Sequence, residues 1–94
     1  MQWVFDGEII QWRGPAPYFF VAMSQPDSAE LKEEARSLIY WGQVPVRVVI
    51  GDTEFRTALF PREGRYLVPL KDAVRKAEGI GEGDIVTVAL RPGR

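Results

Sequence analysis

The sequence predicts a mainly β fold: a small closed or nearly closed β-barrel of about six strands with two short helices, in the order β β α β β β α β. Three observations support this prediction. Several segments alternate apolar and polar residues with period two, two short segments carry apolar residues at helical spacing, and 94 residues suffice for one domain, residues 1–94. Short links between the strands favour antiparallel pairing, with the helices over the barrel ends.

The first two strands are predicted in residues 2–12 and 18–23. Trp3, Phe5 and Ile9 fall on one side of an extended chain, which is the pattern of a strand. The run YFFVAM is continuously apolar and predicts a strand that is buried on both faces. Because the link between the two segments is short and rich in Gly and Pro, we expect them to pair as an antiparallel hairpin.

The first helix is predicted from Leu31, Ala35 and Leu38, which recur at i, i+4 and i+7. Ser24 or Asp27 can cap its start, because both side chains accept hydrogen bonds from free backbone N–H groups. The segment is therefore expected to form a short amphipathic helix.

A second hairpin is predicted from residues 44–50 and 55–59, which alternate apolar and polar residues on either side of a Gly-Asp turn. Pro45 has no N–H group and therefore belongs at the start of its strand or on an edge. A further short strand is expected over residues 65–68.

Pro69 is predicted to open the second helix, about nine residues long, and Gly79 to provide a left-handed C-cap. A final strand over residues 85–90 and a polar tail over residues 91–94 complete the prediction. The residues expected to face the core from the second helix are Leu70, Ala73, Val74 and Ala77.

The composition excludes several classes of enzyme. Without Cys and His the chain has no Ser-His-Asp or Cys-His catalysis, no thiolate or imidazole metal ligand and no disulfide. We expect no enzymatic activity, no cofactor and no metal site, and a metal-dependent carboxylate or lysine-based activity is the enzymatic alternative. The longest apolar run, residues 18–23, is too short to span a bilayer, and the N-terminal residues carry no leader pattern. We therefore expect a cytoplasmic protein without membrane contact.

The sequence resembles a small bacterial family of domains of unknown function, which is sometimes joined to a bacteriocin-protection (OmpD-associated) region. The resemblance covers residues 18–90 and rests on four motifs in order, WGQVPV, TALFP, YLVPLKDAVRKAEG and GD. It implies a small β-barrel without an established activity.

Residues 64–90 are also similar to the AbrB/MazE-type DNA-binding hairpin. The matching residues are Gly64, Arg65, Val68, Pro69, Val74, Arg75, Lys76, Gly79, Ile80, Gly83 and Asp84. In those regulators two chains interleave to form one barrel and contact DNA through basic residues. Residues 4–50 also offer strand, helix and strand elements, so we hypothesise that this chain contains both halves of one barrel and is a monomer.

The candidate binding surface is a concave region near Trp41, Thr57, Lys71 and Arg75. Trp41 lies where helix gives way to strand, and Trp often places its polar edge at a cavity mouth. Lys71 and Arg75 stand at i and i+4 on one helix face, where a ligand anion or a nearby carboxylate would offset their repulsion. We expect a small anion, an acidic peptide or a protein partner. The alternatives are aromatic residues that only fill the core and charges that form a solvated face.

Nucleic-acid binding is the alternative function, through Arg62, Arg65, Arg75 and Lys76. Residues 47–94 carry nine basic and seven acidic groups, whereas residues 1–46 carry three and six. Binding to phosphates needs converging cations, but DNA-binding domains are typically strongly basic and this chain has a net charge of −1. The sequence therefore favours a non-enzymatic binding or interaction module over a regulator that binds nucleic acid.

Overall fold

The computed structural model describes residues 2–93 and contains, within them, seven strands, two α-helices and one 3-10 helix. Met1 and Arg94 lie outside the described residues, and Arg94 is the last residue of the predicted polar tail. The mainly β class with two helices is confirmed, with seven strands instead of about six. The elements are β1 (Trp3–Glu8), β2 (Ile10–Trp12), β3 (Tyr18–Ala22), α1 (Gln25–Glu34), the 3-10 helix (Arg36–Leu38), β4 (Val44–Ile50), β5 (Thr53–Arg62), β6 (Arg65–Leu70), α2 (Asp72–Glu78) and β7 (Ile85–Pro92).

The strands form one curled antiparallel sheet in the order β1-β7-β4-β5-β6-β3-β2. Its two edge strands, β1 and β2, are consecutive in the chain and are separated only by Ile9, so the predicted first strand is one segment in two pieces. The Ile9 N–H donates to the Asp84 carbonyl at 2.9 Å, and the Gly83 N–H donates to the Ile9 carbonyl at 2.9 Å. Because one residue joins the two edges, the sheet curls back on itself around its core.

The core lies inside this curl and is apolar. The alternating residues of β4, which are Val44, Val46, Val48 and Ile50, are all buried, and so is Leu59 on the return strand. Pro45 is the second residue of β4, as its missing N–H group requires. The core consists of Trp3, Ile9, Val21, Met23, Leu31, Ala35, Val44, Val46, Val48, Ile50, Leu59, Tyr66, Val68, Leu70, Val86, Val88 and Leu90.

Helix α1 covers one end of the curled sheet. Leu31 points into the core and is fully buried. On one side of the helix the Ser28 hydroxyl accepts a hydrogen bond from the Tyr66 backbone N–H at 2.9 Å. On the other side the Trp3 indole N–H donates to the Glu30 carboxylate at 2.9 Å. These two bonds fix α1 across the opening between β6 and β1.

Helix α2 covers the opposite end. The Arg75 guanidinium lies 3.7 Å from the centre of the Phe19 ring on β3. The Thr53 hydroxyl at the start of β5 donates to the Glu78 carboxylate at 2.5 Å. Strand β6 runs from the α1 end, where Tyr66 contacts Ser28, to the α2 end, where Leu70 precedes the helix.

The two halves of the chain occupy equivalent places in the sheet. The first half of the chain contains β1, β2, β3, α1 and β4, and the second half contains β5, β6, α2 and β7. Strand β5 pairs with β4 and β6, just as β1 pairs with β7 and β2 pairs with β3. Between the halves, β3 pairs with β6 and β4 pairs with β7. In the β3–β6 ladder Val21 of the first half lies opposite Val68, its equivalent in the second half. The pairs on either side of this central pair, Phe20 with Pro69 and Ala22 with Leu67, are equivalent to each other. The pairing therefore has an approximate two-fold axis, which is the arrangement that two halves within one chain require.

The second helix differs from its prediction in position and in phase. Strand β6 continues through Pro69, which lies opposite Phe20, so the helix starts at Asp72 and has 7 residues instead of about nine. Val74 is buried, but Ala73 and Ala77 are exposed, so their predicted burial is wrong. Val74 is the one residue of this short helix that is buried, and the two alanines lie on its solvent side. The predicted Gly79 cap is confirmed, since Gly79 has φ 64° and ψ 38°.

Two further expectations are corrected. The run YFFVAM is not buried on both faces, because its three aromatic residues are only half-buried and just Val21 and Met23 are fully enclosed. The predicted polar tail is largely strand, because β7 continues to Pro92 and pairs there with Val46 of β4. Leu38 is half-buried in the 3-10 helix, because the regular helix ends before it.

Candidate functional site

An open groove with a volume of about 620 Å³ lies at the α2 end of the sheet, and we call it the α2 groove. Residues from β2, β3, the end of β6 and the first turns of α2 line it. They are Gln11, Pro17, Tyr18, Phe19, Pro69, Leu70, Lys71, Asp72, Ala73 and Arg75.

The floor of the α2 groove is set by strand register. Gln11 lies opposite Phe19 in the β2–β3 ladder, and Phe19 lies opposite Leu70 in the β3–β6 ladder. Residues directly opposite one another in antiparallel strands share a face of the sheet, so these three side chains form one row. The row offers an amide at one end and the half-buried Phe19 ring for contact with a ligand, while Leu70 is buried beneath it.

Arg75 is the most firmly positioned charge in the α2 groove. Its Nε–H donates to the Leu70 carbonyl at 3.4 Å, one Nη2–H pairs with the Asp72 carboxylate, and its guanidinium stacks on Phe19. The side chain is only 19% exposed. Among residues 2–93 neither Nη1–H has a partner, so a fixed guanidinium offers two donors to a carboxylate or phosphate oxygen.

Lys71 adds a second cation to the α2 groove. It stands at the N-cap position of α2 with an extended backbone, and its exposed side chain makes no hydrogen bond or ion pair to a described residue. Asp72 opposes it, but that carboxylate is already engaged by Arg75. The groove therefore carries a modest excess of positive charge beside an apolar floor.

The structure brings Lys71 and Arg75 together, but Trp41 and Thr57 do not line the α2 groove. Trp41 is 84% exposed at the tip of a tight turn and has a φ of 54°. The following residue, Gly42, approaches the side chain of Pro61, which lies near the end of β5 that faces α1. Thr57 is half-buried in the middle of β5.

The four residues of the nucleic-acid alternative also divide between the two ends. Arg62 and Arg65 face each other at the β5–β6 turn, and the Arg62 guanidinium lies 4.3 Å from the centre of the Trp12 ring. Arg75 and Lys76 lie on α2, at the other end of β6. These cations do not form one continuous stripe.

Sequence reasoning missed the contribution of Gln11 and Phe19 to the groove. The predicted β2–β3 hairpin is confirmed, and its register is what places these two residues side by side. The link between the strands offers several positions for the turn, so the sequence alone does not fix the register. Alternation along YFF was the available indication that Phe19 lies on the opposite face from Tyr18 and Phe20.

Burial raises the pKa of the Tyr66 phenol above its usual value. Within residues 2–93, no three or more carboxylates converge where they could hold a metal ion.

None of the helices in residues 2–93 has the length and apolar character needed to cross a lipid bilayer.

The fold and groove define a class of small domain in which two helices cover the ends of a curled antiparallel sheet and one of them borders an open groove. A family model described as a domain of unknown function (DUF1905) matches residues 5–90. The chain belongs to this family, which confirms the resemblance to a family of domains of unknown function. A comparison with curated proteins gives no match.

Proposed function

We propose that this domain is a non-enzymatic binding module whose α2 groove holds an acidic peptide segment. The observation that carries the proposal is Arg75, which three contacts hold in the groove while both Nη1–H donors remain available among the described residues. A cation that is already fixed loses little conformational entropy when it binds an anion.

The shape of the α2 groove favours a peptide over a single small ion. A volume of about 620 Å³ exceeds what one carboxylate fills, and the groove is open to solvent. An apolar side chain can pack on the half-buried Phe19 ring while a neighbouring carboxylate reaches Arg75. Lys71, which is exposed, can contact a second carboxylate farther along the segment.

The same features explain why we favour binding over catalysis. The sequence has no His or Cys to act as base or thiol nucleophile near neutral pH. The polar groups of the α2 groove are two cations, one paired carboxylate, one amide and the Tyr18 hydroxyl, which can recognise charge but include no free carboxylate or imidazole to act as a base. This set of groups supports recognition of an acidic ligand.

A fluorescently labelled hexapeptide of alternating Glu and Phe tests the proposal, with the matching peptide of Lys and Phe as its control. Anisotropy should show saturable binding of the acidic peptide alone, and affinity should fall as salt is raised. Amide NMR shifts should map to Gln11, Phe19 and Leu70. Arg75→Gln should weaken binding about tenfold, because a hydrogen bond to a charged group is lost.

Lys76→Gln is the matched control, because Lys76 is exposed on the same helix but does not line the groove. It should leave the affinity unchanged. Equal binding of both peptides, or shifts confined to other parts of the sheet, would refute the proposal. Binding of a short DNA duplex at about 50 mM salt that weakens steeply as salt rises would instead favour the nucleic-acid alternative.

A further inference from the structure

A second cleft lies at the α1 end, between α1 and the β5–β6 hairpin, and we call it the α1 cleft. Its volume is about 260 Å³. This is slightly below the roughly 300 Å³ at which typical small-molecule pockets begin, so its ligand must be small. The residues that line it are Ser28, Ala29, Lys32, Pro61, Gly64, Arg65 and Tyr66.

The α1 cleft occupies the position that the two-fold axis assigns to a counterpart of the α2 groove. In the groove, Gln11 of β2 lies opposite Phe19 of β3. In the cleft, Pro61 of β5 lies opposite Tyr66 of β6. Since β5 and β6 are the counterparts of β2 and β3, the same pair of strand positions lines both.

The helix contacts follow the same rule. In the groove, Arg75 of α2 packs on Phe19, whereas in the cleft Ser28 of α1 bonds to the Tyr66 backbone. The fold thus forms a concave surface between helix and strands at both ends, and different side chains line the two surfaces. A small serine at the helix position brings α1 close to the strand, which fits the smaller volume of the cleft.

The charges of the α1 cleft come from Arg65 and Lys32. The Arg65 Nε–H donates to the Met23 carbonyl at 2.7 Å, which fixes the guanidinium and leaves its Nη donors without a partner among residues 2–93. Lys32 makes no hydrogen bond or ion pair to a described residue. The cleft has no carboxylate in its lining, in contrast to the α2 groove, where Asp72 engages Arg75.

We propose that the α1 cleft binds a small organic carboxylate. The planar Arg65 guanidinium matches the two oxygens of a carboxylate, and Lys32 adds a second positive charge. The rest of the lining is mainly apolar, with Pro61 and Ala29, so the body of the ligand is apolar. This site does not depend on peptide binding in the α2 groove.

Amide NMR titration of the whole chain with sodium benzoate tests this site, and benzamide serves as the neutral control of equal shape. Benzoate should produce saturable shifts at Ala29, Gly64 and the Arg65 Nε–H, whereas benzamide should not. Arg65→Gln should raise the dissociation constant about tenfold, because a charged hydrogen-bonding partner is removed.

Lys32→Gln provides a second variant that keeps the fold, because Lys32 is exposed on α1 and bonds to no described residue. It should weaken benzoate binding severalfold. Arg36→Gln is the matched control, since Arg36 is exposed nearby and pairs with Glu33 outside the cleft. The proposal is overturned by equal shifts with benzamide, by benzoate affinity that Lys32→Gln leaves unchanged, or by shifts at Phe19 and Leu70 alone. The last result would still be compatible with a ligand in the α2 groove.

Discussion

Helix α1 and helix α2 occupy equivalent places at opposite ends of the sheet, yet different chemistry holds them there. Helix α1 has 10 residues and is fixed by Ser28 and Glu30, whereas α2 has 7 and is fixed by Arg75 and Glu78. A serine lets its helix lie close to the strand, and an arginine stands between helix and strand. One backbone plan thus carries a narrow cleft at one end and a wide groove at the other, with a serine or an arginine at the matching helix position.

The helix ends differ as well. The Ser24 hydroxyl accepts a hydrogen bond from the Asp27 N–H at 3.2 Å, but Lys71, at the matching position of α2, offers no side-chain cap. At the other end α2 finishes on Gly79 in the left-handed region, whereas α1 finishes on Ala35 outside that region. Each helix therefore has one well-stabilised terminus that the other lacks.

The largest losses of stability are expected at the two residues where a strand stops pairing with one neighbour and begins to pair with another. Ile9 separates β1 from β2, and Leu59 is the last residue of β5 that pairs with β4. Both are fully buried. Ile9→Ala and Leu59→Ala should each lower the free energy of unfolding by about 3 kcal/mol, as for other large-to-small core changes.

Urea denaturation measures both losses, and Ile9→Val gives a milder variant if Ile9→Ala does not fold. Val4→Ala is the control, because Val4 is exposed on the neighbouring strand. A small loss at one position and a large loss at the other would show that the two bends are not energetically equivalent.

The second effect concerns the helix caps. Ser24→Ala should lower the free energy of unfolding by about 1 kcal/mol, because it removes the cap of α1. Lys71→Ser supplies the cap that α2 lacks and should raise it by roughly 0.5 kcal/mol. Since Lys71 also lines the α2 groove, the same variant should bind the acidic peptide more weakly. Thermal unfolding and peptide anisotropy on one protein sample would separate the two roles.

If Lys71→Ser changed stability and binding in the same direction, Lys71 would not have the two independent roles assigned to it. Lys76→Ser is the matched control, since it lies on the same helix away from the cap and the groove.

A smaller effect is expected at two tight turns with the same backbone. Trp41 has φ 54° before Gly42, and Glu63 has φ 52° before Gly64. Non-glycine residues in this region are strained by roughly 1–3 kcal/mol, and Asn tolerates it better. Trp41→Asn and Glu63→Asn should each raise the free energy of unfolding by about 0.5 kcal/mol, part of that strain. Denaturation curves would measure both.

Trp41 also contacts Tyr40, with ring centres 5.9 Å apart, and Trp41→Asn removes that contact. The rise in the free energy of unfolding should therefore be no larger for Trp41→Asn than for Glu63→Asn. A loss of stability with Trp41→Asn would mean that this exposed pair of rings contributes more than the strain removes.

Alternation was sufficient to predict β4 and its hairpin, because every inner residue from Val44 to Ile50 is apolar and a shift by one would expose all of them. The phase of α2 was less accessible, since in a helix of 7 residues the strand before it decides where the helix starts. Pro69 fits the start of a helix and also fits a strand position that needs no N–H donor, so sequence alone does not choose between them.

The candidate site was predictable to the extent that its residues lie close together in the sequence. Lys71 is the N-cap residue of α2 and Arg75 follows four residues later in the helix, and both line one groove. Trp41 and Arg75 are brought to opposite ends by the sheet order, which depends on pairings between distant strands. Helical spacing carries no information on those pairings.

The smallest expected effect is on the pH dependence of stability and concerns the Tyr66 hydroxyl, which Phe19, the residue at the equivalent position of β3, lacks. Burial raises the pKa of Tyr66 in the folded state, so above about pH 10 the unfolded chain loses the phenol proton first. The folded state then binds more protons than the unfolded state, and stability falls as pH rises. Tyr66→Phe removes this contribution, so melting temperatures from pH 8 to 11 should decline less steeply for the variant. Tyr40→Phe, at an exposed ring, should match the unmodified chain. Parallel curves for Tyr66→Phe and the unmodified chain would mean that the Tyr66 hydroxyl reaches solvent through the α1 cleft.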